Sequence, residues 1–267
     1  MLANFHTHTN FCDGKNTPEE IVLYAIDKGF SSIGFSGHGY TPFDLRYCMK
    51  DTDGYIKTIK SLKEKYKNKM QIYLGIEEDA SYLINREKFD YIIGSSHYFF
   101  VDGEYHSVDS DSDYFNKCLK LFDDDVIKLS DSYYKSFCEY ILKRKPDVVG
   151  HFDLITKFDE IDTQRFLCND DYLKLSENYM KEALKSDCIF EVNTGAMSRG
   201  VRSTPYPYEN LLHLIKKQGG KIMLSSDCHQ SDTLDFNFKE TKKHLLDIGF
   251  QYTYVMYDNE FKKDFLE

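Results

Sequence analysis

Short apolar runs alternate with amphipathic helical patterns along the whole chain. The apolar runs are rich in β-branched and aromatic residues and are often bounded by glycine, which is typical of buried strands. They predict eight strands, at residues 2–5, 32–35, 71–76, 91–94, 147–150, 189–193, 221–224 and 251–257. Repeated alternation of strand and helix favours parallel strands joined by right-handed crossovers, and a chain of 267 residues fits one α/β barrel.

The predicted helices have recognisable ends. The first has Thr17 as its N-cap, Pro18 at its first position and Glu20 completing a capping box, and Gly29 lies just past its end. A later helix begins near Tyr208 and stops at a pair of glycines. These signals place helices between the predicted strands, as an α/β fold requires.

The segment 102–145 interrupts this alternation. It opens with an acidic polar loop and continues into long helical sequence that contains many aromatic residues. We interpret it as an insertion after the fourth strand that covers one mouth of the barrel. No linker rich in proline, glycine or serine divides the chain, so we expect a single domain over residues 1–267.

Charge and composition exclude two classes of partner. The chain has 34 basic and 44 acidic residues, a net charge of −10, so bulk charge does not attract nucleic acid, and an anionic substrate needs a local positive site. No stretch approaches 18 consecutive apolar residues, which excludes a membrane span. The seven cysteines are dispersed without a C-x-x-C pair, and the first residues do not resemble a secretory signal. These features predict reduced thiols and a cytoplasmic location.

Side chains that bind metals follow six of the predicted strands. They are His6, His8 and Asp13 after the first strand, His38 after the second, Glu77 at the end of the third, His97 after the fourth, His151 after the fifth, and Asp227 and His229 after the seventh. The carboxyl ends of parallel barrel strands converge on one face. Alternate residues of an extended chain project to the same side, so each of the pairs H-x-H and D-x-H can bind one cation.

The chemistry of this set favours zinc, manganese or iron, because imidazole and carboxylate ligands together suit these ions better than calcium. Three other histidines serve as controls: His213 and His244 lie within helical patterns, and His106 lies in the acidic loop. We expect these three to take no part in the site.

Seven motifs in order along nearly the whole chain resemble one family. They are HTHTNFCDG at 6–14, GFSGH at 34–38, LGIEED at 74–79, IIGSSH at 92–97, VGHFDL at 149–154, EVNTGAMSR at 191–199 and SSDCH at 225–229. This pattern resembles the PHP family, the polymerase and histidinol phosphatase metallohydrolases, and most closely its stand-alone histidinol-phosphatase branch.

The resemblance implies a distorted (β/α)7 TIM-like barrel that holds three divalent metal ions (Mn, Fe or Zn). It assigns His6, His8, Glu77 and Asp227 to the first ion, Glu77, His97 and His151 to the second, and Asp13, His38 and His229 to the third. Family members often carry a histidine where this chain has Asp13. A barrel of seven strands also leaves the eighth predicted strand, 251–257, without a place.

The activity implied by the resemblance is hydrolysis of the phosphomonoester L-histidinol phosphate, a step of histidine biosynthesis. A hydroxide shared between metals would attack phosphorus directly, with Glu77 as the shared ligand and Asp227 or His38 assisting the departing alkoxide. Arg199, or its rival Arg202, would bind the phosphate of this small-molecule substrate.

Lys157 is a third candidate for phosphate binding, at a position where an arginine is expected in close relatives.

Two other functions stay open: a phosphoesterase of the same fold acting on nucleotides, oligonucleotide ends or sugar phosphates, and a non-catalytic scaffold with a decayed site. The acidic stretch 102–125 argues against a nucleic-acid polymer as substrate. The sequence does not determine the oligomeric state.

Overall fold

Strands and helices alternate from the first residues onward in the computed structural model, which describes residues 1–161 and 164–266. The strands are β1 (Ala3–Asn4), β2 (Ser32–Phe35), β3 (Gln71–Asp79), β4 (Tyr91–Ser95), β5 (Tyr98–Val101), β6 (Glu104–Ser107), β7 (Val148–Val149), β8 (Ile189–Asn193), β9 (Lys221–Ser225), β10 (Tyr252–Tyr257) and β11 (Glu260–Phe265). The helices are α1 (Pro18–Asp27), α2 (Thr52–Tyr66), α3 (Ser112–Lys120), α4 (Val126–Arg144), α5 (Asp170–Ala183), α6 (Gly195–Ser198), α7 (Glu209–Lys217) and α8 (Phe238–Ile248).

Seven parallel strands form the central sheet, in the order β1-β2-β3-β4-β7-β8-β9. The two outer strands meet just beyond their ends, where Thr7 and Cys228 form a parallel bridge. The backbone N–H of His8 donates to the Cys228 carbonyl at 2.9 Å, and that of Cys228 donates to the His6 carbonyl at 3.2 Å. These bonds nearly close the sheet, so the prediction of an α/β barrel with seven strands is confirmed.

The first helix begins with the capping residues that the sequence predicts. The Thr17 hydroxyl accepts a hydrogen bond from the Glu20 backbone N–H at 3.3 Å, and the Glu20 carboxylate accepts one from the Thr17 backbone N–H at 2.7 Å. This capping box, with Pro18 at the first helical position, satisfies N–H groups that the helix itself leaves free.

The predicted strand at 251–257 lies outside the barrel sheet. It forms β10, which pairs antiparallel with β11 through a turn at Asp258 and Asn259, both of which have positive φ. Such a turn suits a tight hairpin and sends the chain back along β10. Val255 and Met256 of the hairpin pack in one buried cluster with residues of the barrel strands, including Tyr73, and with Phe5 just after β1.

Aromatic rings fill the barrel below the ends of the strands. The Tyr91 side chain lies so close to Gly34 and Gly75 that a Cβ at either glycine would come within 2.3 Å of one of its atoms. The Tyr91 hydroxyl donates to the Phe5 carbonyl. Because this part of the interior is packed, polar side chains collect above it, at the carboxyl ends of the strands. No helix among residues 1–161 and 164–266 is long and apolar enough to cross a membrane.

The segment 102–145 contains two different kinds of structure. The hairpin β5–β6, whose first strand precedes residue 102, and helix α3 are additions to the strand–helix alternation. Helix α4 is instead the crossover helix between β4 and β7. The α4 residue Tyr133 donates its hydroxyl to the Ser96 carbonyl at 3.1 Å, and Tyr134 shares a hydrogen bond of 2.7 Å with the hydroxyl of Tyr172 in α5. These contacts fix α4 against the barrel.

Candidate metal centre

All nine residues predicted as metal ligands meet at the carboxyl face of the barrel. Their potential ligand atoms form four groups, and the atoms of each group lie within 4.8 Å of one another. The groups are His8, Asp13, His38 and His229; His6, Glu77 and His151; His6, His8 and Asp227; and His38, Glu77 and His97. Several residues belong to two groups, so the groups form one continuous cluster.

Glu77 lies at the centre of this cluster and is almost fully buried. Its Oε2 atom is 2.8 Å from His38 Nδ1 and 3.4 Å from His6 Nε2. Its Oε1 atom is 3.0 Å from His151 Nε2 and 3.4 Å from His97 Nε2. The two carboxylate oxygens therefore face different histidines, which is the geometry that a ligand shared by two ions needs. Burial raises the pKa of Glu77, but the neighbouring histidines outweigh it and hold that pKa well below its usual range.

Two further carboxylates complete the cluster on its other side. Asp227 Oδ1 is 3.1 Å from His8 Nε2. Asp13 Oδ2 is 3.1 Å from His229 Nε2 and 3.6 Å from His38 Nε2. Asp13 thus lies beside His38 and His229, the two residues grouped with it in the predicted third site.

Unpaired buried atoms test whether this cluster fits a cation. His6 Nε2, His8 Nε2 and Asp13 Oδ1 are all buried without a hydrogen-bond partner among the described residues. Glu77 Oε2 also makes no hydrogen bond of normal geometry there, despite its short distance to His38 Nδ1. Leaving a buried polar atom unpaired costs about 1–3 kcal/mol, and such atoms are rare in folded proteins. All four are nitrogen or oxygen atoms that can bind a metal, so divalent cations fit this cluster well.

A cavity of about 230 Å³ opens onto the cluster. Arg199 and Lys157, two of the residues predicted to bind substrate, line it. The Arg199 guanidinium donates to Asp227 Oδ2 at 3.2 Å and so lies directly beside the candidate metal ligands. Lys157 Nζ donates to the Asp109 carbonyl at 2.8 Å, and Asp109 and Ser110 bring the chain after β6 to the cavity wall.

The third predicted substrate residue, Arg202, does not reach the cavity. Its guanidinium is fully buried between the rings of Tyr206 and Tyr208, at 4.0 and 3.7 Å from their centroids. It donates to Thr156 Oγ1 at 3.1 Å and lies 3.9 Å from Asp153. Cation–π contacts and a buried countercharge hold this side chain away from the candidate metal ligands.

Comparison with family models identifies the family of the chain. The PHP domain model matches residues 4–195. The chain belongs to the PHP domain family. The matched range contains seven of the nine candidate ligands, and Asp227 and His229 lie beyond it.

Relatives of this PHP domain align over most of its length. The "Probable histidinol-phosphatase" of Schizosaccharomyces pombe is 27% identical, with 92% of this chain and 86% of the relative covered. The histidinol-phosphatase of Bacillus subtilis is 24% identical, with 88% and 96% covered. The crystal structure of the Lactococcus lactis histidinol phosphate phosphatase, complexed with zinc, L-histidinol and phosphate, aligns with a TM-score of 0.72 and 19% identity, with 98% of this chain and 99% of that chain covered.

Two carboxylates that the sequence did not single out support the histidines of this PHP domain. Glu191 is buried, and its Oε1 atom is 2.5 Å from His6 Nδ1. Asp79 accepts hydrogen bonds from the His97 backbone N–H and ring Nδ1 at 2.9 and 3.0 Å. Histidine ligands commonly donate their second ring nitrogen to a carboxylate, which fixes the tautomer and the ring orientation. The signal in the sequence was strand alternation, because Asp79 lies two residues after Glu77 on the same face.

The control histidines lie outside all four groups. His106 stacks on Phe99 at 5.5 Å between ring centroids, and His213 faces Glu209 on the surface of α7. These histidines thus lie apart from the candidate cluster, which can hold divalent cations beside the positively charged side chains of Arg199 and Lys157.

Proposed function

We propose that this PHP domain hydrolyses L-histidinol phosphate to L-histidinol and phosphate, a step of histidine biosynthesis. The observation that carries the proposal is the convergence of nine potential metal ligands around Glu77, with Arg199 and Lys157 on the adjoining cavity wall. Histidinol-phosphatases are named among the relatives that cover most of both chains. The aligned Lactococcus lactis enzyme is described with zinc, L-histidinol and phosphate.

The proposed cofactors are three divalent ions of the zinc, manganese and iron class. The first would be held by His6, His8, Glu77 and Asp227, the second by Glu77, His97 and His151, and the third by Asp13, His38 and His229. Bound divalent ions supply a water molecule of lowered pKa and neutralise phosphoryl charge. The three carboxylates balance half of the charge of three such ions, so the loaded site keeps enough positive charge to bind a phosphate dianion on an acidic protein.

The side chains of this chain then bind and orient the ester. Arg199 offers two guanidinium nitrogens to the phosphoryl oxygens, a geometry that suits arginine, and Lys157 adds a second positive charge. Glu77 lies between two pairs of histidines, His6 and His38 beside one oxygen and His97 and His151 beside the other. Its carboxylate therefore fixes the distance between these two pairs. Asp227 and His38 line the cavity, where either can hold the proton that the departing alkoxide needs. Arg202 has a supporting part, because it anchors the buried turn that contains Asp153.

The proposal also includes the cellular compartment and the domain organisation. The seven cysteines are free thiols, which fits a reducing compartment such as the cytoplasm. We treat the chain as a single PHP domain in which the hairpin β5–β6 and the loop after it cover one side of the site, since Tyr98, Asp109 and Ser110 line the cavity.

The test compares kcat/KM for L-histidinol phosphate with that for 4-nitrophenyl phosphate, on one metal-reconstituted preparation. We expect a preference of several orders of magnitude for L-histidinol phosphate and loss of both activities in Glu77→Gln. Comparable slow rates on the two esters would contradict the proposed substrate and favour another small phosphate ester or nucleotide. Full metal occupancy without hydrolysis of any phosphoester would favour the scaffold.

A further inference from the structure

One carboxylate in the cavity has no part in the metal cluster. The cavity is lined by the carboxylates of Asp13, Glu77, Asp79, Asp109 and Asp227. Three of them belong to the candidate metal groups, and Asp79 is hydrogen-bonded to His97. Asp109 remains, so its function has to be sought in what else enters the cavity.

Asp109 is held in place and keeps free acceptor capacity. Its Oδ1 atom accepts a hydrogen bond from Ser107 Oγ at 2.9 Å, and its Oδ2 atom lies 3.4 Å from Lys157 Nζ. A carboxylate offers about four acceptor positions, and these two bonds use half of them. Burial raises the pKa of Asp109, but the charges of Lys157 and His97 outweigh it and lower the pKa below its usual range. Asp109 therefore carries its negative charge at neutral pH.

The pair formed by Lys157 and Asp109 gives the cavity wall one positive and one negative pole. The substrate of the proposed function has matching poles, because the carbon atom next to its phosphate ester carbon bears a protonated amine. We propose that Asp109 binds this amine and makes the site specific for phosphate esters of amino alcohols. The inference rests on the proposed function: Lys157 faces the phosphate, and the carboxylate beside it receives the ammonium group.

The test uses a matched pair of esters, L-histidinol phosphate and 3-(imidazol-4-yl)propyl phosphate, which lacks only the amine and the stereocentre. In Asp109→Asn we expect kcat/KM for L-histidinol phosphate to fall about 10- to 100-fold, the factor given by one charge-assisted hydrogen bond. The rate on the ester without the amine should change less than about threefold. Asp113→Asn, an exposed position on α3, removes the same charge outside the cavity and should leave both rates unchanged.

Each other outcome overturns the inference in a distinguishable way. An equal fall in kcat/KM on both esters in Asp109→Asn would mean that Asp109 acts only through Lys157 or through the stability of the fold. Thermal unfolding of the holoenzyme would separate these two causes, because only the second lowers the unfolding midpoint. No fall on either ester would remove Asp109 from substrate binding. A wild-type enzyme that does not distinguish the two esters would refute amine recognition and leave the proposed function intact, whereas one that hydrolyses neither would refute both.

Discussion

Glu191 provides the strongest prediction, because four donors converge on its carboxylate. His6 Nδ1 and Ser225 Oγ donate to Oε1, and the His151 backbone N–H and Asn193 Nδ2 donate to Oε2 at 2.8 and 2.9 Å. Replacement by glutamine keeps the shape but turns one of the two acceptor oxygens into an NH2 group. An NH2 group in place of Oε2 faces two donors, the His151 backbone N–H and Asn193 Nδ2. In place of Oε1 it faces His6 Nδ1, whereas the Ser225 hydroxyl can rotate and accept.

The expected cost follows from this count. One or two buried donors left without an acceptor destabilise the folded protein by about 1–3 kcal/mol each, or about 1–6 kcal/mol in all. The orientation of His6 is also weakened, and loss of such a support lowers metal affinity by about 10- to 100-fold. Glu191→Gln should therefore lower both the free energy of unfolding without metal and the affinity for zinc.

The matched control is Glu78→Gln. Glu78 is equally buried but points away from the cluster, where it accepts hydrogen bonds from Arg144 and from the Tyr140 hydroxyl. We expect it to destabilise the metal-free protein while zinc affinity, measured by competition with a chelator, stays at the wild-type value. Unchanged zinc affinity in Glu191→Gln, or an equal loss in Glu78→Gln, would refute the positioning of His6 by Glu191.

Three further predictions concern the cluster itself. Glu77→Gln should lower kcat by at least about 100-fold and reduce the bound metal measured by elemental analysis, since the shared ligand loses its charge; retained activity would rule out a shared ligand. Arg199→Ala should raise KM and the inhibition constant for phosphate about 10- to 100-fold, and unchanged values would place Arg199 outside the phosphate site. Burial lowers the pKa of His6, but Glu191, Glu77 and Asp227 outweigh it and raise it to about 10, from an ordinary value of 6.5. The folded metal-free protein therefore binds this proton more tightly than the unfolded chain does, so the resulting stability is complete below pH 6.5 and disappears as the pH rises towards 10. Thermal unfolding with a chelator at pH 6.5 and 9.5 should show a lower unfolding midpoint at the higher pH. A higher midpoint at pH 9.5 would contradict the predicted direction of this pH dependence.

The positions of the candidate ligands could be predicted because they depend on local features. Short apolar strands end in histidine or carboxylate, and a parallel barrel brings those ends to one face. Strand alternation separates Glu77, which faces the histidines, from Glu78, which pairs with Arg144. Neither inference requires knowledge of a distant contact.

Contacts between distant segments explain what the sequence pattern did not predict. Arg199 and Arg202 are rival candidates three residues apart, with Arg199 the better match to the family, and the sequence pattern shows the partners of neither. Asp227 draws Arg199 to the cavity, whereas Asp153 and Thr156 hold Arg202 away from it. The hairpin β5–β6 did carry a local signal, an Asp102-Gly103 turn in which both residues have positive φ, between two runs of strand-forming residues. That signal lies inside the segment interpreted as an insertion, where helical sequence dominates.

The seam between β1 and β9 sets the point in synthesis at which the candidate metal cluster is complete. His6 and His8 lie at one side of the seam, and Asp227 and His229 lie at the other. Proteins are synthesised from the amino terminus, so a growing chain carries the first two ligands long before the last two exist. An incomplete chain therefore lacks a candidate ligand for two of the three proposed ions, Asp227 for the first and His229 for the third. We expect these two sites to fill only after β9 and the residues that follow it have been made, and a product truncated before β9 would not compete with the finished protein for a full set of ions.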